Sequence, residues 1–184
     1  MKLYYLQSMA KSDGDVVEIT DKKNRISGYF IWNGNDGKFL QFTKPKGTAQ
    51  EFLKKTEIIK SDYIVSNISV PIFSSRASEI FRKEIPDEVD FNEIEIISEN
   101  TKLIFFLCKC RNFYDLLNKE ASVFRPLTDG SLILSHPVFK KFPREEFYIA
   151  RDINNPQVVV VSEKFLDLCK KHNLQIDFLE TDQK

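Results

Sequence analysis

Two distant stretches of the chain are built to one plan, and that plan restricts the fold more than any other feature. Ile72-Phe73-Ser74 leads into Arg76-Ala77-Ser78-Glu79-Ile80-Phe81-Arg82-Lys83 and then Val89-Asp90-Phe91. Val158 to Val161 and Ser162 lead into Lys164-Phe165-Leu166-Asp167-Leu168-Cys169-Lys170-Lys171 and then Ile176-Asp177-Phe178. Each reads as a strand, a serine at a helix N-cap, a short helix ending in basic side chains, and a second strand. The serine offers an acceptor to orphan amides, and the terminal Lys and Arg suit the carbonyl end of the helix dipole. A β-α-β unit used twice rules out all-helical and all-strand architectures, and two copies are too few for a solenoid. The expectation is an α+β fold with a mixed sheet and a few short helices.

The remaining patterns fill in that frame. Leu103 to Cys108 and Val158 to Val161 are apolar on both faces, so each needs cover on two sides. Residues 1–60 read as a β-rich N-terminal lobe and residues 61–184 as the α+β body, together one domain. Val16 to Ile19 is a short strand. Ile26 to Trp32 and Phe39 to Thr43 read as a hairpin, because the Asn-Gly and Asp-Gly steps of Asn33-Gly34-Asn35-Asp36-Gly37 tolerate positive φ. A short helix is expected around Phe52, Leu53, Ile58 and Ile59. Arg111 to Ala121 reads as another, with Phe113, Leu116 and Leu117 at helical spacing. Asp129-Gly130 turns the chain into Ser131-Leu132-Ile133-Leu134, and Phe147 to Ala150 supplies a further strand.

Composition narrows the function classes. The 184 residues carry 27 basic and 27 acidic side chains, a balance that argues against a general nucleic-acid binder. Leu103 to Cys108 is the longest unbroken apolar run, far below the ~18 residues a spanning helix needs, so no membrane role is expected. Cys108, Cys110 and Cys169 read as reduced thiols of a cytoplasmic protein.

Chemical motifs are missing. No glycine-rich phosphate loop, nucleophile elbow or paired-histidine zinc motif occurs. His136 and His172 read as surface or capping histidines rather than bases. Cys108-x-Cys110 with His136 lacks zinc-ligand spacing and reads as two strand thiols, while Cys169 reads as an inert core thiol. No catalytic residue, metal or cofactor is expected.

Charge is distributed unevenly. Residues 61–100 hold 3 basic and 9 acidic side chains. Glu84, Asp87, Glu88, Asp90, Glu93, Glu95 and Glu99 follow one another with no Lys or Arg between them. Val89 and Phe91 have one parity and Ile94 and Ile96 the other, so a bulge near Asn92-Glu93 would bring the apolar residues to one inward face and leave the carboxylates outward. Such a stripe would steer a basic partner, and reversing its charges would leave stability nearly intact. Tyr29 and Trp32, large rigid aromatics with a polar handle, form a second candidate partner surface.

Several segments in order resemble a bacterial family. Asp62-Tyr63-Ile64-Val65-Ser66-Asn67 followed by Pro71-Ile72-Phe73-Ser74-Ser75-Arg76 looks like its middle. Cys110-Arg111-Asn112-Phe113-Tyr114-Asp115-Leu116-Leu117 through Ser122 resembles its helix-plus-serine segment, and His136-Pro137-Val138-Phe139-Lys140 a following step. Val159-Val160-Val161-Ser162-Glu163-Lys164-Phe165, closing with Ile176-Asp177-Phe178, is similar to its C-terminal signature. The family is that of immunity proteins of bacterial polymorphic toxin systems, groups eleven and forty-three, and the resemblance spans residues 60–180. Asn173-Leu174-Gln175 departs from it where relatives carry a glycine. The resemblance implies a non-enzymatic protein that binds and neutralises a cognate toxin protein by steric occlusion, with no catalytic residues to carry over. Two rival readings stand beside it: a small enzyme using Arg151, Asp152 and His136, and a scaffold that self-associates. Oligomeric state is not legible.

Overall fold

A computed structural model describes residues 1–8, 16–141 and 147–184. The chain runs β1 (Leu3–Gln7), β2 (Val16–Ile19), α1 (Arg25–Phe30), a 3-10 turn (Lys38–Gln41), β3 (Lys46–Ala49), α2 (Lys55–Lys60), β4 (Tyr63–Ser66) and β5 (Ile72–Phe73). It continues with α3 (Ser75–Glu84), β6 (Val89–Ser98), β7 (Thr101–Cys110), β8 (Phe113–Tyr114), β9 (Val123–Pro126) and β10 (Leu132–His136). Then come β11 (Ile149–Asp152), β12 (Val159–Ser162), α4 (Glu163–Lys171) and β13 (Asp177–Glu180). The fold is α+β.

The duplicated plan is present as two split β-α-β units. β5 and β6 both pair antiparallel with β7, so they run parallel with β7 between them. β12 and β13 both pair antiparallel with β1 and run parallel around it in the same way. The units lie in different sheets: a closed barrel of order β2-β3-β6-β7-β5-β4, and a five-stranded sheet of order β13-β1-β12-β11-β8. Helices α3 and α4 meet between them, with the buried rings of Phe81 and Phe165 4.8 Å apart. The serine caps differ. Ser74 accepts from the Ala77 amide at 3.1 Å as expected. The Ser162 hydroxyl is buried without a partner among the described residues, because its backbone belongs to the β12 ladder opposite Leu3 and the strand rather than the helix sets its side chain.

Three cores follow from strand alternation. Tyr4, Leu6, Val159, Val161 and Ile149 point from one face of the five-stranded sheet toward α3 and α4. Leu3, Val160 and Ala150 point from the other face to Leu116, Leu117, Phe139 and Phe147. The barrel interior is filled by Val17, Ile64, Ile72, Ile94, Ile96 and Leu107. The hairpin β6–β7 serves two of these cores, and the expected bulge near Asn92-Glu93 is absent. Its register is unbroken from Val89↔Cys110 to Ser98↔Thr101. Val89, Phe91, Cys108 and Cys110 face the helices, whereas Ile94, Ile96, Phe105 and Leu107 face the barrel interior. The change of parity marks a strand passing from one core to another on its opposite side.

Two expected elements are replaced. Ile26 to Trp32 and Phe39 to Thr43 do not pair as a hairpin; α1 and the 3-10 turn stand there, and the N-terminal strand pair is β2 with β3. The Asp21 carboxylate accepts from the amides of Ile26 and Ser27 at 3.2 and 2.8 Å and so starts a helix. Ile26 and Phe30, which alternation assigns to one strand face, are equally i,i+4 on a helix and are buried together. The turn signals are still used: Gly37 adopts φ 70, and a Cβ there would lie 2.5 Å from the Tyr29 ring. Residues 111–121 form no helix. Phe113–Tyr114 pairs parallel with β11, and the Asp152 carboxylate takes the Leu116 and Leu117 amides at 2.9 and 3.0 Å, so the donors of a helix are spent on tertiary partners. Around residues 50–60 the helix is α2, with Leu53 and Ile58 buried and Phe52 and Ile59 exposed.

Candidate binding cleft

The acidic residues are largely matched by cations from elsewhere in the chain. Glu84 lies 3.6 Å from Lys171 and 3.4 Å from His172. Asp90 receives two hydrogen bonds from Arg111, at 2.8 and 2.6 Å. Glu93 pairs with Lys44, and Glu95 lies 3.3 Å from Lys102. Glu88 is a structural acceptor: its carboxylate takes the Tyr148 and Ile149 amides at 2.8 and 3.0 Å, joining the end of α3 to β11. Glu99 reaches the Lys55 amide, and Asp87 is exposed. Reversing these charges therefore removes structural bonds, most of all at Glu88, rather than leaving stability intact. The stretch is a set of tethers more than a steering stripe.

The aromatic pair separates. Tyr29 is half-buried against Phe30, with the Lys109 ammonium 3.8 Å over its ring. Trp32, 53% exposed, stands at the mouth of a cleft of about 540 Å³ between the barrel and the five-stranded sheet. Tyr5, Leu6 and Val159 line the sheet side of this cleft. Val65, Ser66, Val70 and Pro71 line the barrel side, and Leu132, Ile133 and Leu134 of the β9–β10 hairpin line it across the mouth. Trp32, Ser69 and Gln157 also border a neighbouring hollow of about 480 Å³. Among the described residues the cleft lining holds no charged side chain. Its hairpin is apolar and open to solvent: Leu132 is 67% exposed and Ile133 46%. The Tyr5 hydroxyl is buried and has no hydrogen-bond partner among the described residues. Exposed apolar side chains collected at a concave mouth make this cleft the candidate docking place. Sequence reasoning picked out Trp32 but not Leu132 and Ile133, although an apolar strand directly after the Asp129-Gly130 turn was a visible signal.

The residues of the enzyme reading serve other tasks. Arg151 is fully buried and donates to the Ser69 carbonyl at 3.2 Å and to the Pro156 carbonyl. Asp152, also buried, accepts through Oδ1 from the Asn154 and Asn155 amides at 3.0 and 2.7 Å and through Oδ2 from Leu116 and Leu117. His136 is exposed on β10, 3.1 Å from Asp182. His172 ends α4 beside Glu84. Cys108 and Cys110 lie in the helix-facing core, away from that exposed histidine, and all three cysteines are buried and unpaired. Among the described residues no three His, Cys, Asp or Glu side chains are gathered as a metal ion requires, and no helix is long and apolar enough to cross a membrane.

Burial also sets the response to alkali. It disfavours ionisation, pushing the pKa of the Cys108 and Cys169 thiols and of the Tyr5 and Tyr63 phenols upward. Cys110 is lowered, first by its hydrogen bond with the Cys108 thiol and further by Arg151. A raised acid stays neutral in the folded chain while the unfolded chain ionises, so stability is lost as pH passes the unfolded values of about 8.5 for thiols and about 10 for phenols. Cys110 acts in the opposite sense, one group against several, since burial also raises the Tyr4 and Tyr29 phenols. The thermal midpoint, followed by circular dichroism, is expected to hold from pH 7 to about 8 and to fall steadily above about 9. A midpoint that rises between those two values would contradict this assignment.

Compared with known proteins, the chain matches no family model and no curated protein.

Proposed function

We propose that this chain is a cytoplasmic immunity protein, which binds a cognate toxin protein and covers its working surface without chemistry of its own. The cleft carries this reading: among the described residues its lining is uncharged and is rimmed by Trp32 and the exposed leucine and isoleucine of β10, which suits a protein partner better than a polar metabolite. The ordered segments that resemble immunity proteins of polymorphic toxin systems point the same way. So does the use of Arg151 and Asp152 as internal tethers, which leaves those two residues of the rival enzyme reading occupied, while its third, His136, lies apart from them on the surface beside Asp182. Neutralisation by occlusion needs only complementary surface, and the tethers explain how a short-stranded fold holds that surface rigid.

The test is co-expression with the neighbouring reading frame. Growth arrest by that frame, relieved by this chain and accompanied by a complex that co-elutes on size exclusion, is the expected result. A neighbour that is not toxic, or toxicity that this chain does not relieve, overturns the proposal. Replacing Trp32 with Ala is expected to weaken the complex by at least about tenfold, the scale of an interface aromatic anchor, with little change in melting. Unchanged affinity would move the contact surface away from the cleft.

A further inference from the structure

We infer, building on the proposed function, that the partner contributes an extended, uncharged segment that adds to the free edge of β10 as a third strand and lays alternate side chains in the cleft. Among the described residues the β9–β10 hairpin is a sheet of two strands only. It turns at Gly130, φ 82, with the Leu127 amide donating to the Ser131 carbonyl at 2.7 Å. From that bonded pair the antiparallel alternation places Ile133 opposite Arg125 as the next bonded position and turns the N–H and C=O of Leu132 and Leu134 away from β9. These groups form the free edge.

The side chains of consecutive strand residues point to opposite faces, yet Leu132, Ile133 and Leu134 all line the cleft. The strand therefore meets the cleft edge-on, with its unpaired backbone groups toward it. Its two edges are also unequal. The outer edge of β9 is blunted by Pro126, which sits at a position where an amide would face outward, whereas β10 carries neither proline nor charge from Leu132 to Ser135. An unguarded edge beside an apolar cleft is the arrangement strand addition requires.

The charge of the lining chooses the occupant. The lining carries no charge among the described residues, so electrostatic complementarity selects a neutral segment with apolar residues at alternate positions.

Trp32, the one tryptophan of the chain, lines the same cleft and reports on it directly. The probe is a capped hexapeptide alternating threonine and valine, titrated into the full chain while Trp32 emission is followed. A saturable blue shift with Kd below about 1 mM is expected. The same peptide N-methylated at alternate residues, unable to pair, should bind at least about tenfold more weakly, as should peptide binding to Leu132→Pro. Leu132→Ala, which keeps the amide, should stay within about threefold. The methylated peptide keeps the test valid even if the proline variant melts early. Equal binding of methylated and unmethylated peptide, or no saturable shift, overturns the inference. So does light scattering that shows wild-type dimers which Leu132→Pro dissolves, since a second copy would then be the occupant. In the co-expression assay, Leu132→Pro that still relieves toxicity refutes strand addition while sparing the proposed function. Wild type that fails to relieve it refutes the function whatever the peptide does.

Discussion

Asp152→Asn is expected to lower the thermal midpoint by about 10 °C, corresponding to about 4 kcal/mol at 2–4 °C per kcal/mol for a chain of this size. The side chain is fully buried and its two oxygens accept five hydrogen bonds: the amides of Leu116, Leu117, Asn154 and Asn155, and the Asn155 side-chain nitrogen. Asparagine fits the space but presents an NH₂ group to a ring of donors, leaving one pair of buried amides without an acceptor. Each lost bond to a charged acceptor is worth about 1.5–3 kcal/mol, and an unsatisfied buried donor adds its own desolvation cost. Helical content should scarcely change, because the residues released lie in extended and turn segments. A circular-dichroism melt displaced by less than about 3 °C would mean that the loop from β8 to Ala121 is not held by this carboxylate.

Phe165→Ala is expected to cost about 3–5 kcal/mol and to leave a single unfolding transition. Phe165 is fully buried, with ring centroids 4.8 Å from Phe81, 6.5 Å from Phe73 and 6.4 Å from Phe178. Phe73 and Phe81 come from the unit built into the barrel, Phe165 and Phe178 from the unit built into the five-stranded sheet. Truncation thus opens a cavity where the two sheets are joined, and both lose the same support. Calorimetry should give one peak at lower temperature. Two resolved peaks, one near the wild-type position, would show that the barrel stands without its neighbour.

The duplicated plan was legible because spacing alone carries it: a short apolar strand, a serine, a helical stripe and a second strand survive any choice of tertiary partners. The two-sided strands were legible for the same reason, and β7 and β12 do serve cores on both faces. The stretch Ile26 to Trp32 was not, since Ile26 and Phe30 satisfy alternation and helical spacing alike, and the deciding group, Asp21, lies outside the stretch. Residues 111–121 have helical spacing too, but their amides go to an aspartate at position 152 that no local pattern reveals. The carboxylates from Glu84 to Glu99 looked free because Lys44, Lys102, Arg111 and Lys171 all lie outside that stretch. As for the cleft, its walls come from strands of both sheets and from a separate hairpin, all with neutral residues and no motif. Only Trp32 drew notice in advance, as a large aromatic residue rather than as the rim of a groove.

Strand β1 lies between β12 and β13, and its Leu3 carbonyl accepts from the Thr181 hydroxyl 178 residues along the chain. In chain order, therefore, β1 precedes both of its neighbours by the whole length of the barrel, all of whose strands come before β12. Loop closure of that span is slow, and an unpaired apolar strand is exposed throughout. An engineered circular permutation joining the β1 and β13 ends would make both partners local and shorten that closure.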